Sequence, residues 1–150
     1  MARMSEPVES LLLGGKVRKW ALPLVPGGRG GERPRLKRLV LPQGELAQFY
    51  DSEEGIRYIA MIQLRAGNSR GNHYHKVKRE YLYMIEGEAR LVVENIETRE
   101  RATVPLRTGD VAFIETGVAH ALEVVEPGLA VEFSAARFDA ADIYRVKLVD

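Results

Sequence analysis

Apolar and polar side chains alternate along several short segments of this sequence. Between residues 56 and 64, one face is apolar and the other is mixed, the apolar face carrying Ile56, Tyr58, Ala60, Ile62 and Leu64. A period of two residues is typical of a β-strand with one buried face. Segments of this kind recur through residues 36–135 and are separated by turns rich in Gly, Pro and Asp. This pattern predicts an all-β sandwich or small barrel.

Turn residues divide the second half of the chain into predicted hairpins. Glu86-Gly87-Glu88 is expected to turn the chain into a strand over residues 89–93, and Pro127-Gly128 to close a last hairpin with residues 129–135. A helix is predicted at only two places, near residues 5–13 and as a single turn after Asp139. The regular structure should therefore be almost entirely strand.

Residues 1–35 are the least regular part of the chain. Glycine pairs and prolines interrupt the apolar segments there, so we expect an arm with one or two short strands, not a separate domain. Residues 36–150 would then form the barrel. The end of the arm is basic, and Arg33, Arg35 and Arg38 could hold a phosphate or diphosphate. The alternative is a solvated surface segment.

Composition and charge narrow the possible partners. The chain has 150 residues, 45% of them hydrophobic, which is the size of one domain. Its 22 basic and 21 acidic residues nearly cancel, so no overall field favours nucleic acid or an anionic membrane as a partner. Cysteine is absent, which leaves His, Asp and Glu as the strong metal ligands. Because no segment has the character of a signal peptide or membrane span, we expect a cytoplasmic protein.

The three histidines lie in two glycine-containing segments. His73 and His75 project from the same face of a predicted strand, one pleat apart. Glu80 can return to that face only if a turn or bulge intervenes, and the polar residues 76–79 are suited to form one. With His120 from the second segment, three imidazoles and one carboxylate could share a site.

Such a set of ligands suits divalent ions of the first transition row. Zn, Fe, Ni, Mn and Co all bind imidazole and carboxylate, so the sequence leaves the identity of the ion open. In a metal-free alternative, one of the histidines acts as a general base, because imidazole titrates near neutral pH. Tyr74, Tyr81 and Tyr83 could then supply a phenolic acid, although aromatic residues on strands mostly pack.

The spacing of these residues resembles the two motifs of the cupin family. The first motif, G-x5-H-x-H-x4-E-x6-G, runs from Gly67 to Gly87, and the second, G-x5-E-x-G-x2-H, runs from Gly109 to His120. The resemblance covers about residues 55–135. It implies an all-β double-stranded β-helix, the jelly-roll barrel of cupins.

The resemblance also implies a metal site formed by His73, His75, Glu80 and His120. Two positions depart from the family pattern. Glu115 stands where the family usually has proline, and Val124 stands where it often has asparagine. Neither is a ligand position, so the departures concern the geometry of the loops.

A narrower resemblance concerns residues 70–76, with the sequence RGNHYHK. This string is similar to the first motif of cupins in polysaccharide biosynthesis, notably sugar-nucleotide 3,4-ketoisomerases and the cupin domain of capsule-assembly epimerase/reductases. Glu80 is present in the capsule type and generally absent from the ketoisomerases. The resemblance implies C3 epimerisation or a keto shift on a nucleotide-linked 4-keto sugar. His73 or His75 would be the base, and the basic arm could hold the diphosphate.

Two other functions fit the same residues. Three His and one Glu can bind iron and dioxygen, which would give a metal-dependent dioxygenase. A barrel of this kind could also bind a small ligand without changing it, because fold does not fix function. In each case the expected partner is a small molecule. The exposed, β-rich arm further suggests strand pairing between two copies, so we expect a homodimer.

Overall fold

The computed structural model describes residues 9–27 and 33–150, and its regular structure is almost entirely β-strand. Within these residues two short 3-10 turns occur, Leu13–Gly15 and Ala140–Asp142. The strands of the described ranges are β1 Glu9–Leu12, β2 Val17–Ala21, β3 Leu24–Pro26, β4 Lys37–Leu41, β5 Gly44–Gln48, β6 Tyr58–Leu64, β7 Ser69–Tyr74, β8 Glu80–Asn95, β9 Arg101–Arg107, β10 Asp110–Ile114, β11 Val118–Ser134 and β12 Tyr144–Arg145.

Two long strands, β8 and β11, organise the fold. They contain 16 and 17 residues and pair antiparallel along most of their lengths. The register of this pairing shifts between Val124 and Ala130, opposite Gly87. Because such irregularities bend a strand pair, the two halves of β8 and β11 run in different layers.

The hairpins predicted at these positions are wrong. Gly87 and Pro127-Gly128 lie inside continuous strands and mark the bend instead of two reversals of the chain. At Gly87 φ is 108°, and a Cβ there would lie 2.9 Å from the carbonyl oxygens of Glu126 and Pro127. Glycine therefore permits the close approach of the two strands. Bulges and hairpin turns use the same residue types, so only the pairing distinguishes them.

The strands form two layers that share β8 and β11. The first layer has the order β1-β2-β10-β8-β11-β6, and the second has the order β9-β8-β11-β7-β12. Apolar side chains from both layers form one core cluster, which includes Val17, Ile62, Leu64, Leu82, Met84, Leu91, Val93, Leu106, Ile114 and Leu122. The predicted all-β double-stranded β-helix is therefore confirmed.

A second apolar cluster lies on the opposite face of the first layer. Residues 36–56, which include β4 and β5 of the small β3-β4-β5 sheet, contribute to it. Phe49 stacks on Tyr83 with ring centroids 4.2 Å apart, and Tyr81 stacks on Phe133 at 5.1 Å. Tyr81 and Tyr83 thus pack, as predicted, on the side of β8 opposite Leu82.

Residues 9–27 contain three short strands, β1 to β3, instead of the one or two predicted for the arm, and the first two extend the first layer. β1 pairs with β2, and β2 pairs with β10. The helix predicted near residues 5–13 is wrong for Glu9–Leu12. These residues form the extended strand β1, which pairs with β2, and Leu12 and Leu13 pack against the main core. Residues 5–8 lie outside the described ranges. The single turn after Asp139 is confirmed. Two expectations stay predictions: that the arm ends and the barrel begins at residue 35, and that the protein forms a homodimer.

Within residues 9–27 and 33–150, no helix has the length and apolar character needed to cross a bilayer.

Candidate metal centre

Three strand segments bring the four predicted ligands together. His73 lies in β7 and His75 just after it, Glu80 is the first residue of β8, and His120 lies in β11. The Cα atoms of His73 and His120 are direct partners in the β7–β11 pairing. Residues 76–79 form the predicted turn that returns Glu80 to the side of the histidines. Residues from distant parts of the sequence therefore meet in one place.

One ligand atom from each of the four residues lies within 4.8 Å of the other three. The ring centroid of His73 is 4.9 Å from that of His75 and 4.8 Å from that of His120. His75, Glu80 and His120 are 5%, 6% and 7% exposed, and His73 is partly buried. The ligand atoms therefore share a small space with little access to bulk water.

Each residue has a buried polar atom without a hydrogen-bond partner: Nδ1 of His73, Nε2 of His75 and His120, and Oε2 of Glu80. Such groups are rare, because leaving one unsatisfied costs about 1–3 kcal/mol. Nε2 of His120 and Oε2 of Glu80 are 2.9 Å apart without hydrogen-bond geometry. Two atoms about 2.1 Å from one ion, at a right angle to each other, would be about 3 Å apart. The residues present therefore fit a divalent transition metal ion.

Backbone carbonyls orient two of the imidazole rings. Nδ1 of His75 lies 2.7 Å from the carbonyl oxygen of Asp142, and Nδ1 of His120 lies 3.1 Å from that of Val118. A carbonyl oxygen only accepts hydrogen bonds, so we assign the proton of each neutral ring to Nδ1, which leaves the lone pair on Nε2. Metal-binding histidines commonly show this arrangement.

Burial and neighbouring charge set the protonation of the four groups. Burial lowers the pKa of His73 to about 4, with His120 and His75 adding to the effect, and burial also lowers the pKa of His75. Burial disfavours the charged forms of His120 and Glu80, but the charge on each residue stabilises the charge on the other. The pKa of His120 is therefore raised and that of Glu80 lowered. At neutral pH His73 and His75 are neutral and Glu80 is ionised, the forms that bind metal ions.

A buried ammonium group, which the sequence pattern does not predict, lies beside the centre. Nζ of Lys78 is 3.8 Å from Oε1 of Glu80 and donates a hydrogen bond to Glu132. It also lies 4.6 Å from the ring centroid of Tyr58. Burial and the charge of Glu80 raise the pKa of Glu132 to about 7, although Lys78 acts in the opposite direction. The carboxylates and the ammonium group thus form one network.

The sequence carries different signals for the two missed residues. Lys78 is one of several basic residues in a polar turn, and nothing in the sequence marks it as buried. Glu132 lies on the same face of β11 as Ala130 and Ser134. A strand face made of small and polar residues is a sequence signal for a site.

His73, Glu80 and His120 line a cavity of about 80 Å³ between the layers. Arg70 and Glu132 add polar groups to a lining that is otherwise largely apolar, with Ile62, Leu82, Leu91, Ile114 and Leu122. Arg70 and His73 line the same cavity because the backbone at Gly71 and Asn72 has positive φ and the β7–β11 register shifts there. Arg70 is exposed and forms no ion pair with the residues that the structure describes.

The three arginines predicted to hold phosphate are not part of the cavity lining. Arg38 packs over Gly109 and pairs with Glu45, whereas Nε of Arg35 is 3.9 Å from Asp51 at the surface. Arg33 is partly buried. A phosphate-binding role for these three residues stays a prediction.

A comparison of the sequence with models of known protein families agrees with the observed fold. A family model described as a cupin domain matches residues 60–135, about half of the chain. The chain therefore belongs to the cupin family. A search of curated protein sequences finds no match to this chain.

Solved structures with this fold include several enzymes of sugar-nucleotide metabolism. A dTDP-6-deoxy-D-glucose-3,5-epimerase from Legionella pneumophila, in complex with dTDP-4-keto-L-rhamnose, is 12% identical with a TM-score of 0.72 over 97% of this chain and 80% of that chain. A dTDP-4-dehydrorhamnose 3,5-epimerase from Sulfolobus tokodaii is 14% identical with a TM-score of 0.74, covering 96% and 85%. A 3,4-ketoisomerase from Helicobacter canadensis is 18% identical with a TM-score of 0.65, covering 74% and 86%. At these identities the similarity concerns the fold.

Proposed function

We propose that this cupin binds a divalent transition metal ion and catalyses proton transfer next to the carbonyl group of a nucleotide-linked keto sugar, as an epimerase or isomerase of polysaccharide biosynthesis. The observation that carries the proposal is the set of four unpartnered, buried ligand atoms on His73, His75, Glu80 and His120. Three of these residues line a cavity, so a ligand can reach the centre.

The donor set suits Zn, Fe, Ni, Mn or Co. When bound, such an ion supplies Lewis acidity toward a carbonyl oxygen and so favours loss of a proton from the neighbouring carbon. The cavity walls, largely apolar, keep bulk water away from the reacting carbon.

The proton can be accepted by a histidine or by Glu132, and the choice depends on whether a metal ion is bound. His73 or His75 is the base if the protein acts without a metal ion, since a neutral imidazole accepts a proton. An imidazole whose lone pair is engaged by an ion cannot do so. In the metal-bound protein we therefore assign the role to Glu132, a carboxylate that lines the same cavity and is held by Lys78.

The substrate class is inferred from the cavity and its mouth. A cavity of about 80 Å³ is too small for a whole nucleotide-linked sugar, so we expect only the reacting part of the sugar to enter it. Arg70 lies exposed at the cavity, where its guanidinium group can pair with phosphate oxygens. The named activities of the structural relatives, 3,4-ketoisomerase and 3,5-epimerase, support the same class of substrate.

The test is hydrogen exchange in deuterated water. Metal-loaded protein is incubated with a dTDP-linked 4-keto-6-deoxy sugar, and the recovered sugar is analysed by mass spectrometry and NMR. We expect deuterium on a carbon next to the carbonyl, together with an epimer or keto-shifted isomer. Each product needs one proton removed and one returned, so the reaction uses no oxidant and no second substrate.

Variants then distinguish the two bases. Glu132→Gln should abolish exchange by the metal-loaded protein, and either His73→Gln or His75→Gln should abolish exchange by metal-free protein. Absence of exchange with metal-loaded wild type and every such substrate contradicts the proposal. Oxygen consumption by the iron-loaded protein would indicate the dioxygenase instead, and recovery of an unchanged ligand would indicate a binding module.

A further inference from the structure

A short segment near the C-terminus contacts the loop that links two of the metal-site residues. The segment is the 3-10 turn Ala140–Asp142. Within it Asp142 is buried, 7% exposed, although the rest of the turn is exposed. A buried acidic residue in an exposed turn needs a reason, because burying an unpaired carboxylate is costly.

The carboxylate of Asp142 accepts hydrogen bonds from three successive backbone amides of that loop. The nitrogens of Lys76, Val77 and Lys78 lie 2.8, 3.2 and 3.0 Å from its oxygens. Three converging amides form a concave binding site for one anionic group. These bonds fix the backbone of the loop between His75 and Glu80.

The backbone carbonyl of Asp142 makes a second contact with the same centre, in a position that the hydrogen bonds of the carboxylate hold. It lies 2.7 Å from Nδ1 of His75, so it fixes the orientation of the ring and leaves Nε2 directed at the centre. β12 follows directly and pairs with β7, Arg145 opposite His73. The C-terminal segment thus touches both ends of the His73–His75 pair.

We propose that Asp142 is a positioning residue of the metal centre: its carboxylate holds the loop between His75 and Glu80, and its carbonyl holds the His75 ring, so that both ligands are set before an ion binds. This inference rests on the metal site of the proposed function. It predicts that an intact Asp142 raises metal affinity by removing the need to order the loop on binding.

The test compares full-length variants by zinc titration against a fluorescent chelator. Asp142→Ala should weaken zinc binding about 10- to 100-fold, the usual effect of removing a group that orients a ligand. Asp142→Asn keeps the size of the side chain and one accepting oxygen, so its loss should be smaller, about tenfold. Asp139→Ala is the matched control, because the side chain of Asp139 caps the same turn by accepting a hydrogen bond from the amide of Ala141, whereas the loop bonds to Asp142. Its affinity should equal that of wild type.

A second measurement separates orientation from general stability. Nitrogen NMR of metal-free protein should show the His75 ring protonated on Nδ1 in wild type and Asp139→Ala, and a mixture of tautomers in Asp142→Ala. Urea unfolding of metal-free protein identifies variants that do not fold. If Asp142→Ala does not fold, Asp142→Asn is used for both measurements.

Two results would overturn the role of Asp142. One is wild-type zinc affinity and an unchanged His75 tautomer in the folded Asp142 variants. The other is an equal loss of affinity in Asp139→Ala, which would mean that only the stability of the turn matters. If wild type binds no zinc or other transition ion, the proposed function fails, and the tautomer measurement still decides whether Asp142 orients His75.

Discussion

The amine of Lys78 lies among carboxylates in a site with little water. The side chains of Lys78, Glu80 and Glu132 are only 8%, 8% and 17% exposed. Burial alone would lower the pKa of Lys78, but Glu80 and Glu132 raise it, so the amine stays charged. A buried ion pair adds little net stability, yet removing one partner leaves the other charge uncompensated.

Lys78→Met should therefore lower the free energy of unfolding of the metal-free protein by about 3 kcal/mol. Adding Glu132→Gln should recover about half of that loss, because one buried charge is then removed. Urea denaturation measures both. Arg79→Met is the neighbouring control: its pair with Glu115 has a 62% exposed arginine and should be worth less than about 1 kcal/mol. Equal effects of Lys78→Met and Arg79→Met would contradict the account.

Among single residues, those that lie at a regular spacing in the sequence are the ones that the sequence predicts correctly. His73, His75, Glu80 and His120 lie at fixed distances from glycines, and the structure brings all four together. Asp142 has no such relation, because it reaches the loop across 66 residues of sequence, through a turn whose position depends on β12 and β7.

At the scale of elements, the shared feature of β8 and β11 is the bend at their midpoints. Gly87 and Gly128 face each other there, and a Cβ on Gly128 would lie 1.7 Å from the carbonyl oxygen of Glu86. The two strands can therefore change layer together and remain paired on both sides of the bend. Because of this bend, Leu91 from the second half of β8 and Leu82 from the first half belong to the same core cluster.

Gly87→Ala should destabilise the protein by at least about 2 kcal/mol, because the new methyl group meets two carbonyl oxygens and the backbone is left-handed. Gly67→Ala is the matched control, since Gly67 also has positive φ but no atom within 4 Å of an added Cβ. Its cost should be about 1 kcal/mol, the strain of the backbone alone. Thermal and urea unfolding measure the difference. If Gly67→Ala proved as costly as Gly87→Ala, the close packing at the bend would not be the cause.

In the whole molecule, the candidate metal centre draws its residues from strands that are far apart in the sequence. Its residues come from β7, the loop after it, β8 and β11, so an ion bound there would hold the second layer to the start of the first. An ion that binds the folded chain and not the unfolded chain adds to stability by mass action.

Zinc or nickel at 100 times its dissociation constant should raise the free energy of unfolding by about 2.7 kcal/mol, and the melting temperature by about 8 °C. A chelator should reverse the change. The measurement is a thermal melt of wild type and His120→Ala with and without the ion, and His120→Ala should show no shift. An equal shift in both proteins would place the binding elsewhere.

Sequence patterns are enough to predict that the chain is almost entirely strand and which four residues make up the candidate centre. Those features depend on local periodicity and on fixed spacing within two segments. Tertiary structure alone decided that Gly87 and Pro127-Gly128 bend two strands instead of ending them, and that Glu9–Leu12 is extended. It also decided that Lys78, Glu132 and Asp142 belong to the site, because burial and pairing are set by which distant strands meet.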